Sequence, residues 1–554
     1  MFFGFVIRKL RFLSRAYSHS DEDTAACDIE QNAGKGPKPG KSQRTDRIEP
    51  QLGENLDCLK EMFCDSCDLK THIFRFGQGD CLTGALVFID GMVDNTTLTN
   101  AILRPVTGCR TEEIPLRAGK GLINDIAQSV LCAGDVKTAS FLSELASGCL
   151  SGDTAILIDG CTEGLVVSTK GWDKRSITEP QSETVVRGPR EGFTENLRTN
   201  TSMLRRKIKS AQLCVENITA GRKTNTNICI IYLDGVAAAQ VVEAVKYRIG
   251  RLKVDSILES GYIEEYIEDA PFSPFATVGY SEKPDVVAAR ILEGRVAILV
   301  DGTPFVLTVP MLFIESFQTA EDYYTRPLYA SLTRMLRFAA FIITVFAPAA
   351  YIALTVFHQE LIPTTLLFTI ANAREGTPFP GFMEALIMVF AFELLREAGI
   401  RLPRPVGQAI SIVGALIMGD AAVSAGIVGA PMVITIAITA VASFLVPSQN
   451  DSASALRVVM MILASFAGFY GIAMGFLAIL MHLGSLSSFG VPYFDGFAWT
   501  SNLQDSVVRM PQWFMTRRPK DMARGDTVRR RFFIPPLRPY EPRDEDDTEG
   551  KGHE

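Results

Sequence analysis

FAAFIITVFAPAAYIALTVF, residues 338–357, is a run of twenty residues without a charge. Wound as a helix it is about 30 Å long, the thickness of a bilayer's hydrocarbon core, and Pro348 predicts a kink within it. Working outward, residues 338–482 hold only twelve Asp, Glu, Lys and Arg, whereas 21% of the whole chain is charged. Lipid offers no partner for an open backbone, so helices are the natural way for such a band to cross it. The expected fold is therefore multi-domain: a two-lobed α/β soluble region followed by an all-α polytopic transmembrane domain over 336–484.

Within the band, LIPTTLLFTIANA (361–373) is too short for a comfortable span and reads as a re-entrant or surface segment. GFMEALIMVFAFELL (381–395) carries Glu384 and Glu393, nine residues apart and so on opposite helix faces. Either they line an ion path, or they snorkel and pair with Arg396 and solvent. Arg396, Arg401 and Arg404 form a basic loop that the positive-inside rule assigns to the cytoplasm.

The run from Val406 to Val446 is too long for one helix and divides best at Gly429–Pro431, which puts Asp420 near mid-span. An acid at that depth marks an ion path or gate unless a neighbouring helix hydrogen-bonds it. The last span, 458–482, aligns Gly468, Gly471 and Gly475 as a close helix-packing face. Five spans would leave the basic stretch 517–531 on the wrong side of the membrane. Residues 361–373 or 484–499 are candidates for the missing crossing.

Before the band, four apolar runs end in Asp-Gly: ALVFIDG at Gly91, AILIDG at Gly160, IIYLDG at Gly235 and AILVDG at Gly302. The first and third precede helical text, the second and fourth a further apolar run. This repeat suggests two related α/β lobes, 56–182 and 211–335, with Asp-Gly serving as turn chemistry. Between them, 183–210 is a basic connecting segment holding Arg187, Arg190, Arg198, Arg205 and Arg206, with Glu191. These are candidates for assembly or coupling contacts, and the acidic stretch 259–275 offers a complementary patch.

Residues 1–55 read as a basic and polar disordered tail, and 485–554 as an interfacial segment with a basic and acidic tail. All eleven cysteines precede the band and fit reduced cytosolic thiols. Cys64 and Cys67 form a lone CxxC near His72, without a second pair to complete a metal site. The net charge of −7 argues against nucleic acid. The five histidines lie in no catalytic motif, so neither an enzyme nor a cofactor is expected.

The stretches RGPREGFTENLRTNTSMLRRKI (187–208), ESGYIEEYIEDAPFSPF (259–275), KPDVVAARILEGRVAILVDGTPFVLTVP (283–310), REAGIRLPRPVGQAISIVGALIMGDAAVSAGIV (396–428) and SFGVPYF (488–494) resemble the A subunits of GerA-type spore germination receptors, or their stage V sporulation relatives. Ala276, Lys283 and Ser487 depart from that pattern. The resemblance implies a nutrient-gated ion channel in the inner membrane of the endospore, built as a homo-oligomer, a pentamer, with the soluble domain cytoplasmic. It also implies a transporter-like B subunit and a lipoprotein C subunit as partners. A non-conducting scaffold or signal-amplifying subunit is the alternative.

Overall fold

The computed structural model describes residues 46–529 except 78–81, 109–120, 173–178, 181–182, 184, 402–418, 495–504, 516–517, 519–521, 523–525 and 527. The readings of the N-terminal tail before residue 46, of Arg404 and of the last 25 residues lie outside this set.

The first lobe begins with helix α1 (Leu52–Met62), strands β1 (Leu69–Phe76) and β2 (Leu82–Ile89), and a helical run from Asn95 to Gly108, α2. A second run from Leu122 to Val130, α3, leads to β3 (Val136–Ala139), α4 (Leu142–Leu150), β4 (Thr154–Ile158) and β5 (Gly164–Val167). The second lobe repeats this order with α5 (Leu197–Lys207), β6 (Leu213–Ala220), β7 (Thr226–Leu233), α6 (Ala239–Gly250), α7 (Ser260–Ile267), β8 (Gly279–Ser281), α8 (Pro284–Leu292), β9 (Val296–Val300) and β10 (Val306–Val309). The sheets share one strand permutation, β1-β2-β4-β5-β3 and β6-β7-β9-β10-β8, with every neighbouring pair antiparallel. Helices cover both faces of each sheet, which explains why β4 and β9 are buried at every position.

The four Asp-Gly pairs end β2, β4, β7 and β9, and all four glycines have positive φ, from 77° to 92°. Two of the aspartates do more than turn the chain. Asp159 accepts from the Leu52 amide at the start of α1, and Asp301 from the Leu197 amide at the start of α5. In each lobe an asparagine three residues into the helix clamps the preceding strand-like residue: Asn55 bonds both the amide and the carbonyl of Glu49, as Asn200 does for Thr194.

These paired details correct two boundaries. The segment 183–210 is not only a connector, because its helix α5 is the counterpart of α1 and buries Leu197, Met203 and Leu204 in the second lobe's core. The first lobe starts before residue 56, since Ile48, Leu52 and α1 already pack into its core.

After two short 3-10 turns the chain enters the helices of the band. They are α9 (Pro327–Val356, containing Pro348), α10 (Thr364–Arg374), α11 (Gly381–Arg401), α12 (Ala430–Ser443) and α13 (Asn450–Ser485). Among the described residues, α9 and the stretch Pro447–Ser485 are the two helical stretches long and apolar enough to cross a membrane.

α13 is not one rod. Gly468 has φ 58° and ψ −137°, far from helical. A methyl on Gly475 would touch Met460 and Leu463, and one on Gly471 would meet the Leu463 carbonyl at 2.2 Å. In a straight helix Gly475 would be more than 20 Å from Met460, so the chain reverses at Gly468 into a helical hairpin. Both hairpin ends reach the second lobe: Ser452 donates to the Pro274 carbonyl and His482 lies 2.9 Å from Ser273 Oγ. The tip lies beside Phe357 and His358 at the opposite end of α9. Gly471 and Gly475 thus pack against the preceding half of their own helix, and Gly468 against the end of α9.

Candidate functional site

Three groups of charged residues stand at the lobe junction, at the joint between the second lobe and the helices, and among the helices. The first joins the lobes. Arg205, fully buried on α5, grips Asp68 through two bonds of 2.8 and 2.9 Å, with its guanidinium 5.9 Å over Phe63. Bidentate geometry offsets the cost of burying both charges. Arg198 reaches Asp90 at 3.5 Å, so two residues of the basic stretch meet carboxylates of the first lobe. Arg206 pairs with Glu191 at 3.2 Å and lies over Trp172, Lys207 shares that glutamate, and Arg190 makes a looser contact with Glu179. The Arg187 amide donates to Glu321. Much of the basic charge is therefore matched within the chain.

The second group joins the second lobe to the helices. Arg334, buried near the start of α9, bonds Asp322 at 3.0 Å, Asp505 at 3.0 Å and the carbonyls of Asp505 and Ser506. Arg337 forks onto the same Asp322. Burial acts to raise the Asp322 carboxyl, yet Arg337, the Thr319 amide and Arg334 hold it below its ordinary range. Asp505, with fewer donors, is raised by burial despite Arg334. Around them Phe275, Phe313, Phe317, Ala340, Leu483 and Tyr493 make an apolar seam, with Phe317 stacked on Phe338 at 4.0 Å.

The third group lies among the helices. Glu384, fully buried, faces Arg374 at 3.5 Å and accepts from the Gly429 amide at 3.3 Å and from Thr377. Glu393 pairs with Arg396 at 2.7 Å, Arg457 at 3.4 Å and Ser454 at 3.0 Å. Arg457 is buried and also donates to the Thr344 carbonyl, whose usual helical donor four residues on is Pro348, which has no N–H. The two glutamates belong to separate clusters at the two ends of α11, in keeping with their opposite faces. The pairing of Glu393 with Arg396 agrees with one of the two sequence readings; Arg457 adds a second partner that the apolar run beginning at Val458 concealed.

Asp420 lies in helical residues 419–424, is exposed, and sits four residues before that helix ends. The turn that follows packs beside Gly376 and Arg374. The break at Gly429 before α12 falls where the sequence reading put it. Among the described residues no group of three or more His, Cys, Asp or Glu could hold a metal ion.

A family model described as "Bacillus/Clostridium GerA spore germination protein" matches residues 57–521. The chain belongs to the GerA family. Spore germination protein KA of Bacillus subtilis (strain 168) is 45% identical over 486 residues, covering 87% of this chain and 88% of that protein. The membrane protein YfkQ of the same strain is 43% identical, covering 86% and 93%. A crystal structure of the N-terminal domain of the A subunit of the Bacillus megaterium spore germinant receptor GerK3 is 35% identical and covers 49% of this chain and 99% of its own, with a TM-score of 0.40. The GerA resemblance read from the five stretches quoted above is thus confirmed, and the arginines of the basic stretch, the Arg334 cluster and the bundle charges all lie inside the matched region.

Proposed function

We propose that this chain is the A subunit of a GerA-type nutrient germinant receptor, a multi-pass protein of the spore inner membrane that oligomerises, as a pentamer, into an ion channel. The carrying observation is the belt of large apolar side chains left exposed on α9 and α11–α13: Ile342, Phe390, Ile434, Val441, Phe466, Tyr470 and Met481 are 55–80% exposed. A patch of this extent requires lipid or neighbouring subunits.

The hairpin at Gly468 supports an even number of crossings, because it replaces the last single span with two. Its halves, 450–467 and 469–485, are each about 26 Å long, close to one hydrocarbon thickness. The residues after it then return to the lobes, as Arg334 with Asp505 and Arg529 with Glu293 support. Arg396 lies at this same end through Ser454, and a basic residue there favours a cytoplasmic position for the lobes. A transporter-like B subunit and a lipoprotein C subunit complete the receptor, with the nutrient sensed outside this chain.

In this reading Asp420 stands at the mouth of the ion path, while Glu384 and Glu393 are neutralised inside their own subunit. That internal pairing is what the scaffold alternative has in its favour. Purified full-length protein in liposomes tests both: potassium flux is expected, reduced several-fold by Asp420→Asn. Absence of any conductance supports the scaffold, and equal flux in the variant removes Asp420 from the path.

A further inference from the structure

Residues 63–68 of the first lobe form a tight turn, with Cys64 and Asp65 at φ 55° and 52°. This turn sits on β6, the edge strand of the second lobe's sheet. The Cys67 amide donates to the Val215 carbonyl at 2.9 Å, the Val215 amide to Ser66 Oγ at 3.1 Å, and Ser66 Oγ to the Leu213 carbonyl at 3.3 Å. The unpaired edge is thereby covered by the other lobe.

The two cysteines of the turn straddle that strand. Cys214 opposes Tyr232 in the β6–β7 register and Asn217 opposes Cys229, so Cys214 and Cys229 lie on opposite faces of the sheet. Cys64 and Cys214 both lie against the Gln212 carbonyl, at 4.0 and 3.5 Å. Cys67 packs on the core that contains Cys229. Each cysteine of the CxxC therefore meets one cysteine of the other lobe.

We propose that these four thiols are a redox modification site, in which a hydroperoxide converts Cys67–Cys229 and Cys64–Cys214 into two disulfides that tie the lobes together. In the first pair, the Cys67 thiolate attacks one oxygen of hydrogen peroxide, the O–O bond breaks, and the departing hydroxide takes a proton from solvent to leave as water, giving a sulfenic acid. The Cys229 sulfur then attacks Cys67, the S–S bond forms, the S–O bond breaks, and the Cys229 proton departs with the hydroxide as a second water. Two thiols are oxidised for each peroxide reduced.

Cys67 suits the attacking role. It is half-buried, and the neighbouring Cys229 thiol outweighs burial and the nearby Asp68, with Arg198 assisting, so that its thiol is lowered to about 7. Asp68 is itself engaged by Arg205, which limits its repulsion.

The test uses the full-length protein in detergent, treated with hydrogen peroxide, alkylated, digested and mapped by mass spectrometry without reduction. Peptides joining the 64/67 region to both the Cys214 and the Cys229 segments are expected, reversed by dithiothreitol. The rate of Cys67–Cys229 linkage should rise about tenfold from pH 6 to pH 8, following the thiolate fraction. A Cys64–Cys67 bond within the turn, irreversible acids at Cys67, or thiols that react only after denaturation would each overturn the proposal. Cys67→Ser should leave only the Cys64–Cys214 linkage, and a Cys229 peptide found joined to any other cysteine in that variant also counts against it.

Discussion

Arg205 and Asp68 stand for what individual residues do at the lobe junction. Both are buried and each satisfies the other, so removing one leaves a charge in the interior without compensation. Arg205→Ala is expected to cost about 3–5 kcal/mol, read as a lowered urea midpoint of the soluble region within the full chain. Asp68→Asn with Arg205→Met should recover much of that loss, since a neutral pair needs no partner charge.

A second residue couples stability to pH. Burial first, then Glu268 and Glu259, pushes the Glu264 carboxyl up to about 7. The folded chain therefore holds this proton more tightly than an unfolded glutamate does. Its stabilising contribution is fully present below about pH 4.5 and is lost as pH rises through 7. Glu264→Gln should raise the melting temperature at pH 8, by the equivalent of about 1 kcal/mol after allowance for solvent screening, and leave it unchanged at pH 4.5. Equal effects at both pH values would show that the charge is not the cause.

At the scale of elements, the repeat was readable because Asp-Gly at a strand end requires positive φ, and all four glycines have it. What the aspartates cap was not readable: Leu52 and Asp159 are 107 residues apart, and Leu197 and Asp301 are 104 apart. Nothing local pairs such distant positions. The basic stretch likewise looked like a connector because its charges outnumber its apolar residues. Only the shared L-x-x-N of α1 and α5, Leu52 with Asn55 and Leu197 with Asn200, marks it as the second lobe's opening helix.

Gly468, Gly471 and Gly475 show the same limit, since small residues at this spacing serve a neighbouring helix or the chain's own return equally well. The hairpin makes a prediction about sides. In a background without native cysteines, Gly484→Cys, where added atoms meet nothing within 4 Å, should be labelled by an impermeant maleimide from the same side as a cysteine in the lobes. Thr365→Cys, on the exposed α10, should be labelled from the other side. Labelling of positions 365 and 484 from one side would replace the hairpin with a single crossing. Gly468→Ala should lower the folded yield, because its Cβ would lie 2.9 Å from Phe357 in a left-handed conformation.

For the whole molecule the decisive joint is the one between the lobes and the helices. Three connections meet at one place: the 3-10 turns after the second lobe supply Asp322, the start of α9 supplies Arg334 and Arg337, and the returning C-terminal segment supplies Asp505 and Arg509. Arg509 reaches the Thr325 carbonyl, and Tyr323, which donates to Asp505, lies between the guanidinium groups of Arg334 and Arg509 at 5.4 and 5.5 Å. The C-terminal segment is thus a strap over the joint between soluble and apolar parts. Asp505→Ala removes one carboxylate from Arg334 but leaves Asp322, so the loss should be smaller than at the Arg205 pair, about 1–3 kcal/mol. The expected signature is localised: limited proteolysis should cut first in the strap around residues 505–515, with the lobe core still protected. Cleavage that begins inside the lobes would mean that the strap does not hold the joint and that Arg334 is anchored by Asp322 alone.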